Sequence, residues 1–463
     1  MNNSNANALE YARNNRERFI NELVEFVSIP SVSTNPENKA DIDDAALWVA
    51  NQLKKLDLEN IQIMPTQGHP VVFAESLQAG KDKPTALVYG HYDVQPADPL
   101  DLWETPAFEA IQKGENLYGR GASDMKGQIL VSLKAIEAIT RHDKLPLNIK
   151  FLIEGEEEIG SPHLEEFITN NKSLLDCDFV INPDSGIISA DLPTITYGLR
   201  GLAYFELRIS GPDHDLHSGI FGGAVHNPAQ ILSELIAGMH DKNGKVTLPG
   251  FYDKVRDLSE DERKELGRLP LDEKFYISQT GAGALWGEKG YTPYERVGVR
   301  PTLEINGILS GFTGAGSKTV LPNKAMAKIS MRLVPDQDPF DVKKQFVEYL
   351  EQNSPPTSTW ELEQLAAAYP SISDRSSEPV KALENAMQQT WGRQPVYRRE
   401  GGTVPIVAQM QRVLGVDSVI TGFGLPDDNL HAPNEKIHLP TFFNGIETFI
   451  RFFYLLGLVN SLK

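Results

Sequence analysis

Two histidines and a set of carboxylates lie along this chain where apolar strands should end. His91 is in YGHYDVQP, Asp124 in GRGASDMKGQ, Asp184 in NPDSG and His431 in NLHAPNEK. Glu154, Glu156, Glu157 and Glu158 crowd into FLIEGEEEIGSPH. That cluster directly follows the apolar run IKFLI, so an ordinary solvated acidic turn is a poor account of it. Carboxylates this close repel one another, and burial worsens the repulsion. Each remaining motif has an ordinary explanation when taken alone. His91 and His431 could be loop histidines, Asp124 a helix N-cap and Asp184 a turn aspartate. Taken together they suit a metal centre, because zinc accepts imidazole nitrogen and carboxylate oxygen. The excess of carboxylates points to two cations roughly 3.5–4 Å apart that share a bridging group. A divalent pair would offset the repulsion and hold the groups ionised. At least one glutamate should then stay off the metal and take a proton from bound water.

The elements that must position these residues alternate. TALVYGH ends at His91, NIKFLIEG at the glutamates and CDFVINPD at Asp184, while SVITGFG precedes the loop carrying His431. Helical patterns lie among them. They comprise an N-terminal helix, a second at about 43–56, one presenting Ile129, Leu130, Leu133, Ile136 and Ile139 on one face, and others near 379–391 and 403–414. Short continuous apolar strands alternating with helices predict an α/β domain, its sheet mostly parallel and covered by helices on both faces. Ligands in such folds bind beyond the carboxyl ends of the strands, where His91, Glu157, Asp184 and His431 fall.

The middle of the chain reads differently. YFELRIS alternates like a half-buried strand, and NPAQILSELIAGMH opens with Asn227 as cap and Pro228 at the first helical position. A polar stretch follows over about 241–300. Then come strands at TLEINGIL and KAMAKISMRLV, a helix at DPFDVKKQFVEYLEQ and a strand at TWELEQLA. This βαββαβ order is the ferredoxin-like pattern. The predicted division is a discontinuous catalytic domain, 1–200 and 369–463, interrupted by an inserted lid or dimerisation domain, 201–368.

Composition narrows the function classes. The chain has 463 residues, 44 Lys plus Arg and 63 Asp plus Glu, for a net charge of −19. So acidic a surface disfavours nucleic acid and anionic membranes as partners. Cys177 is the single cysteine, which excludes an intrachain disulfide and fits a reducing compartment. The first residues lack an apolar signal-peptide core. Phe442, Phe443, Ile446, Phe449, Ile450 and Phe453 recur at helical spacing around Asn444, Glu447 and Arg451, which indicates a core-facing helix, not a membrane span. The expected location is cytoplasmic.

The ordered set GHYDVQP, LYGRGASDMKG, EGEEEIGS, NPDSG, LHSGIFGG, TVLPNKAMAKISMRLVP, REGGTVP and HAPNEK resembles the dinuclear metallopeptidases that include aminoacylase, carboxypeptidase G and carnosinase. It is most similar to the carnosinase and cytosolic nonspecific dipeptidase branch. The resemblance implies that His91 and Asp184 bind one metal, Glu158 and His431 the other, and Asp124 both. It implies zinc, with manganese or cobalt as alternatives. Asp93 would orient His91 and Glu157 would be the general base. The family has two adjacent glutamates here, whereas this chain has a third, Glu156, just before them. Glu154 receives no role.

The resemblance also implies a substrate set. His217 would stabilise the oxyanion by reaching across a homodimer, and Arg332 would take the terminal carboxylate of a small peptide. Thr319 and Thr403 would add hydrogen bonds, Gly401 and Gly402 would allow close approach, and a buried Glu400 would meet the free α-amino group. His214 with His217 as a separate metal site is disfavoured, since no carboxylate-rich strand end accompanies them. The expected reaction is hydrolysis of dipeptides or short peptides with a free C-terminal carboxylate. Two alternatives remain. One is a deacylase of N-acyl amino acids on the same scaffold, which Glu400 would oppose, and the other is a binding protein that has lost the chemistry.

Overall fold

The computed structural model describes residues 3–459. The chain forms two compact units: Met1–Tyr197 with Ser373–Tyr397 and Gln409–Lys463, and Gly198–Ile372 with Arg398–Ala408.

The large sheet of the first unit runs in the spatial order Glu59–Met64, Val71–Ser76, Asn148–Glu154, Thr85–His91, Phe179–Asn182, Ser418–Ile420 and Thr194–Leu199, the last of which leads out of the unit. The four strands from Asn148–Glu154 through Ser418–Ile420 are parallel, and antiparallel strands flank them. All seven residues of Asn148–Glu154 are buried, and so are all but the first of Thr85–His91. Central strands covered on both faces must be apolar throughout, hence the runs IKFLI and ALVY. His91 pairs in register with Glu154. The two loops that follow therefore start side by side at one edge of the sheet.

Helix Gly127–Thr140 is buried along almost its whole length, and helix Leu439–Leu456 shares its core cluster. The charges in the latter are locally satisfied: Arg451 lies 3.3 Å from Glu447, which also pairs with Arg13 at 2.8 Å. Among the described residues no helix is long and apolar enough to cross a membrane.

The second unit has a four-stranded antiparallel sheet in the order Thr302–Ser310, Lys324–Leu333, Gly201–Ser210, Thr359–Ala368. With helices Pro228–Gly238 and Pro339–Asn353 this gives the βαββαβ order. Asn227 accepts from the Ala229 N–H at 2.9 Å, capping a helix that begins with proline. The polar stretch also contains helices Glu260–Leu266, Glu273–Thr280 and Pro293–Gly298, each opened by a side-chain cap from Ser259, Asp272 or Thr292. They are too short for periodicity to reveal. Two of them account for the grouping of Arg398–Ala408 with this unit: Arg399 pairs with Glu262, and its carbonyl accepts from the Tyr294 hydroxyl at 2.7 Å.

Candidate metal centre

Seven of the residues singled out in the sequence meet in the first unit. His91 is fully buried at its strand end, and among the described residues no group meets its Nε2 in hydrogen-bonding geometry. That atom lies 3.3 Å from Asp124 Oδ1 and 4.0 Å from both Asp184 Oδ2 and Glu157 Oε2. On the far side of Asp124, His431 Nε2 is 2.9 Å from Oδ2 and 3.2 Å from Glu158 Oε2. The ligand atoms therefore fall into two groups, His91–Asp124–Asp184 and Asp124–Glu158–His431, that share one carboxylate. An orphaned, buried imidazole nitrogen facing several carboxylates fits a divalent cation, and the sharing of Asp124 fits two.

Asp93 builds the turn between these groups. It is fully buried, with Oδ1 3.4 Å from His91 Nδ1, and it accepts the N–H groups of Glu157 at 3.3 Å and Glu158 at 3.1 Å. The His91 ring is fixed from behind and the two glutamates are fixed from below by the same side chain. Gln95 Nε2 donates to Glu158 Oε2 at 2.9 Å.

The other two glutamates of the cluster face away. Glu154 Oε1 accepts from the Tyr89 hydroxyl at 2.7 Å and the Ser161 hydroxyl at 2.8 Å, while Oε2 is buried with no partner among the described residues. Burial, together with the charge of Asp93, raises this carboxyl to about 8. Glu156 is buried against His163 Nδ1 at 2.9 Å. The crowding is thus resolved into two outward carboxyls with their own partners and two turned to the centre.

Electrostatics separate the roles. Burial pushes Glu157 well above the usual carboxylate range, and Asp184, Glu158 and Asp124 add to this against the opposing effect of His91. Hydrogen bonds to Asp124 and Glu158 hold a proton on His431 up to about 10. Burial alone would lower His91, but Asp124 and Asp93 raise it well above an ordinary histidine. A cation entering this site must therefore displace protons.

The sequence reading missed the support behind Asp124. Glu435 is fully buried and accepts from Arg120 Nη1 at 2.7 Å and from the N–H groups of Gly121 at 2.9 Å, Ser123 at 3.1 Å and Asp124 at 3.1 Å. Gly121 adopts φ +84°, which turns its N–H into this array at little steric cost. Asp428 accepts from the Ser123 hydroxyl at 2.9 Å and from Lys436 Nζ at 3.0 Å. Asking what satisfies the N–H groups of a tight GASD turn shows that an acceptor is needed there, without saying which residue supplies it. His431 itself has φ 58°, a left-handed conformation that a non-glycine residue holds only when its surroundings enforce it.

In the second unit, Arg332 Nη1 donates to Thr403 Oγ1 at 2.7 Å. The carbonyls of Gly401 and Gly402 accept from Arg200 Nε at 3.0 Å and Arg200 N at 3.1 Å. His217 pairs with Val320 in a two-stranded ribbon, and the Ser218 N–H donates to the Thr319 carbonyl at 3.1 Å. His217 Nδ1 accepts from the Gly219 N–H at 3.0 Å, which leaves Nε2 to carry the proton of a neutral ring. His214 pairs with Asp213 and belongs to neither metal-type group. Glu400 differs from the expectation of a buried carboxylate. Its side chain is 37% exposed and pairs with Arg398 at 2.9 Å, because residues two apart on a strand share a face.

The two His–carboxylate groups around one aspartate, at the carboxyl edge of a parallel sheet, suit a pair of divalent cations. The sequence profile described as peptidase family M20/M25/M40 matches residues 87–454, and the chain belongs to that family. It is a dinuclear metallopeptidase. A Cys-Gly metallodipeptidase of Candida albicans is 34% identical over 94% of this chain and 93% of its own length. The human Beta-Ala-His dipeptidase is 32% identical over 96% of this chain and 91% of its own. An M20 family metallo-carboxypeptidase from Sulfolobus solfataricus superposes with a TM-score of 0.83 at 34% identity, covering 95% of this chain and 99% of that one.

Proposed function

We propose that this protein hydrolyses dipeptides or short peptides with a free C-terminal carboxylate. The observation that carries the reading is Asp124 shared between two His–carboxylate groups, with Glu157 beside them but in neither. His91, Asp124 and Asp184 would hold one divalent cation and Asp124, Glu158 and His431 a second, with zinc the proposed metal and manganese or cobalt the alternatives. When bound, the pair supplies Lewis acidity at the scissile carbonyl and at water. Glu157, with its proton affinity raised by burial, accepts the proton of the attacking water and returns it to the leaving amine. Asp93 holds His91 and the Glu157–Glu158 turn in register. His217 Nε2–H would donate to the oxyanion, Arg332 would take the terminal carboxylate, and Thr319, Thr403, Gly401 and Gly402 would line the substrate path. Support for dipeptides over N-acyl amino acids comes from the similar dipeptidases; Glu400, paired with Arg398, would meet the free α-amino group.

Two further readings accompany this one. A homodimer through the inserted lid domain, 201–368, is supported by the exposed Ile220, Phe221, Ile308, Leu309 and Phe312 of the second unit. A cytoplasmic location is supported by the single, buried Cys177. The test of function is a hydrolysis screen of free dipeptides, N-acetyl amino acids and longer peptides after chelation and again after adding zinc or manganese. Metal-restored cleavage of dipeptides is expected. Full activity in protein shown to be metal-free by elemental analysis would overturn the reading.

A further inference from the structure

A cavity of about 390 Å³ lies wholly within the second unit, between strand Thr302–Ser310, strand Lys324–Leu333 and the segment around Trp286. Arg200, Arg296, Arg300 and Arg332 line it, and among the described residues Glu288 and Glu304 are its only carboxylates. In a chain of net charge −19 that local excess of cations is unusual. Glu288 is committed to Arg300 through two contacts of 2.8 Å. Arg296 is bound to the carbonyls of Glu288 at 3.0 Å and Trp286 at 3.3 Å. Among the described residues neither Arg200 nor Arg332 pairs with a carboxylate.

Arg200 is the unexpected member. Only 9% of it is exposed. Its Nε is used by the Gly401 carbonyl, yet among the described residues its buried Nη1 has no partner. A guanidinium donor left unmet in a buried position is costly, and a second guanidinium nearby adds repulsion. Burial, together with the charge of Arg332, lowers Arg200 to about 10. Glu304 attracts Arg200 without coming within ion-pair distance. One small anion placed between Arg200 and Arg332 would satisfy the orphaned donor and remove the repulsion at once.

The geometry points to a two-arginine receptor in which Arg200 and Arg332 together bind the substrate's terminal carboxylate, so that Arg200 is a binding residue and more than a support for the Gly401–Gly402 turn. This rests on the reading of Arg332 as the carboxylate contact. A planar fork presents paired donors to a carboxylate, and two forks can saturate both of its oxygens.

The experiment uses the metal-loaded full chain and compares kcat/KM for L-alanyl-L-alanine with that for its C-terminal amide. Arg200→Gln should lower the free-to-amide ratio at least tenfold, chiefly through KM on the free peptide. Arg200→Lys keeps charge but loses the fork, and should lower the ratio threefold or more; it decides the matter if Arg200→Gln does not fold. The double variant Arg200→Gln/Arg332→Ala should lose less than the product of the single losses, since both side chains act on one carboxylate. Equal losses on free and amidated peptide in a folded Arg200 variant would show that Arg200 only props the turn, and would overturn the inference. A ratio that falls in Arg332→Ala but not in either Arg200 variant would also overturn it, leaving the Arg332 reading intact. Equal wild-type cleavage of free and amidated peptide would instead overturn the Arg332 reading itself.

Discussion

The four neighbouring glutamates divide by what each carboxyl touches. Glu157 lies 4.0 Å from the orphaned His91 Nε2 and outside both ligand groups. Glu157→Gln keeps the shape and removes the base, so turnover should fall about 10²–10⁴-fold with metal content near that of wild type. If elemental analysis shows metal lost from Glu157→Gln and kept by Glu158→Gln, the two roles must be exchanged. Glu154 makes an opposite case. Its folded-state carboxyl holds a proton to about 8 against an ordinary 4.5. As pH rises through that window the unfolded chain releases the proton first, so this group's contribution to stability falls. Glu154→Gln mimics the protonated form, and its melting temperature should fall less than that of wild type between pH 5 and 8.5. Parallel curves would show that the native carboxyl is already ionised. At this scale His91, Asp93, Asp124, Glu157, Glu158, Asp184 and His431 were legible, because each follows an apolar strand or opens a helix. Glu435 was not. Its partners are backbone N–H groups more than 300 positions away in sequence, and no local pattern reports such a pairing.

At the scale of elements, parallel strands bring the ligand loops to one edge, and close backbone approach keeps them there. A Cβ on Gly422, just past strand Ser418–Ile420, would lie 1.6 Å from the carbonyl oxygen of Ser185, the residue after Asp184. That oxygen belongs to the backbone and cannot swing aside. Gly422→Ala should destabilise the protein by about 1–3 kcal/mol and weaken metal retention at the His91–Asp184 position, read by a denaturant midpoint together with metal stoichiometry. Unchanged metal content at full stability would show that the turn yields freely. The core strands and long helices were readable because period and burial agree in them. The short helices after Ser259, Asp272 and Thr292 were not, since six to eight residues give about two turns of pattern at most. The partial exposure of Glu400 and its pairing with Arg398 were not legible for a related reason: a neighbour two residues along a strand decides a charge's surroundings as much as its motif does.

At the scale of the whole molecule, the proposed dimer can be tested without a structure of it. Subunits carrying His217→Ala keep metals and base but have no imidazole to lend, and subunits carrying Glu157→Gln can lend His217. Each variant alone should be nearly inactive. Random exchange makes mixed dimers about half the population, each with one complete site, so roughly one quarter of wild-type activity should return. No recovery, despite exchange verified with differently tagged chains, would place His217 in its own subunit or the protein in a monomeric state. The βαββαβ order of the insert was legible because each strand alternates and each helix carries a start signal. The grouping of Arg398–Ala408 with it was not, because that depends on the distant Glu262 and Tyr294.

The seating of strand Ser418–Ile420 between Phe179–Asn182 and Thr194–Leu199 has a consequence for biosynthesis. His91, Asp124 and Asp184 have all left the ribosome before the second unit is made, whereas His431 follows only after it, 431 − 184 = 247 residues after Asp184. At roughly 5–20 residues per second this interval lasts on the order of 10–50 s. Throughout it, one ligand group is fully translated, the other lacks its histidine, and two strand edges face an empty slot. Open edges of that kind recruit other strands. The nascent chain should therefore be most dependent on chaperones in this interval, and chains stalled between residues 200 and 415 should aggregate more readily than the finished protein.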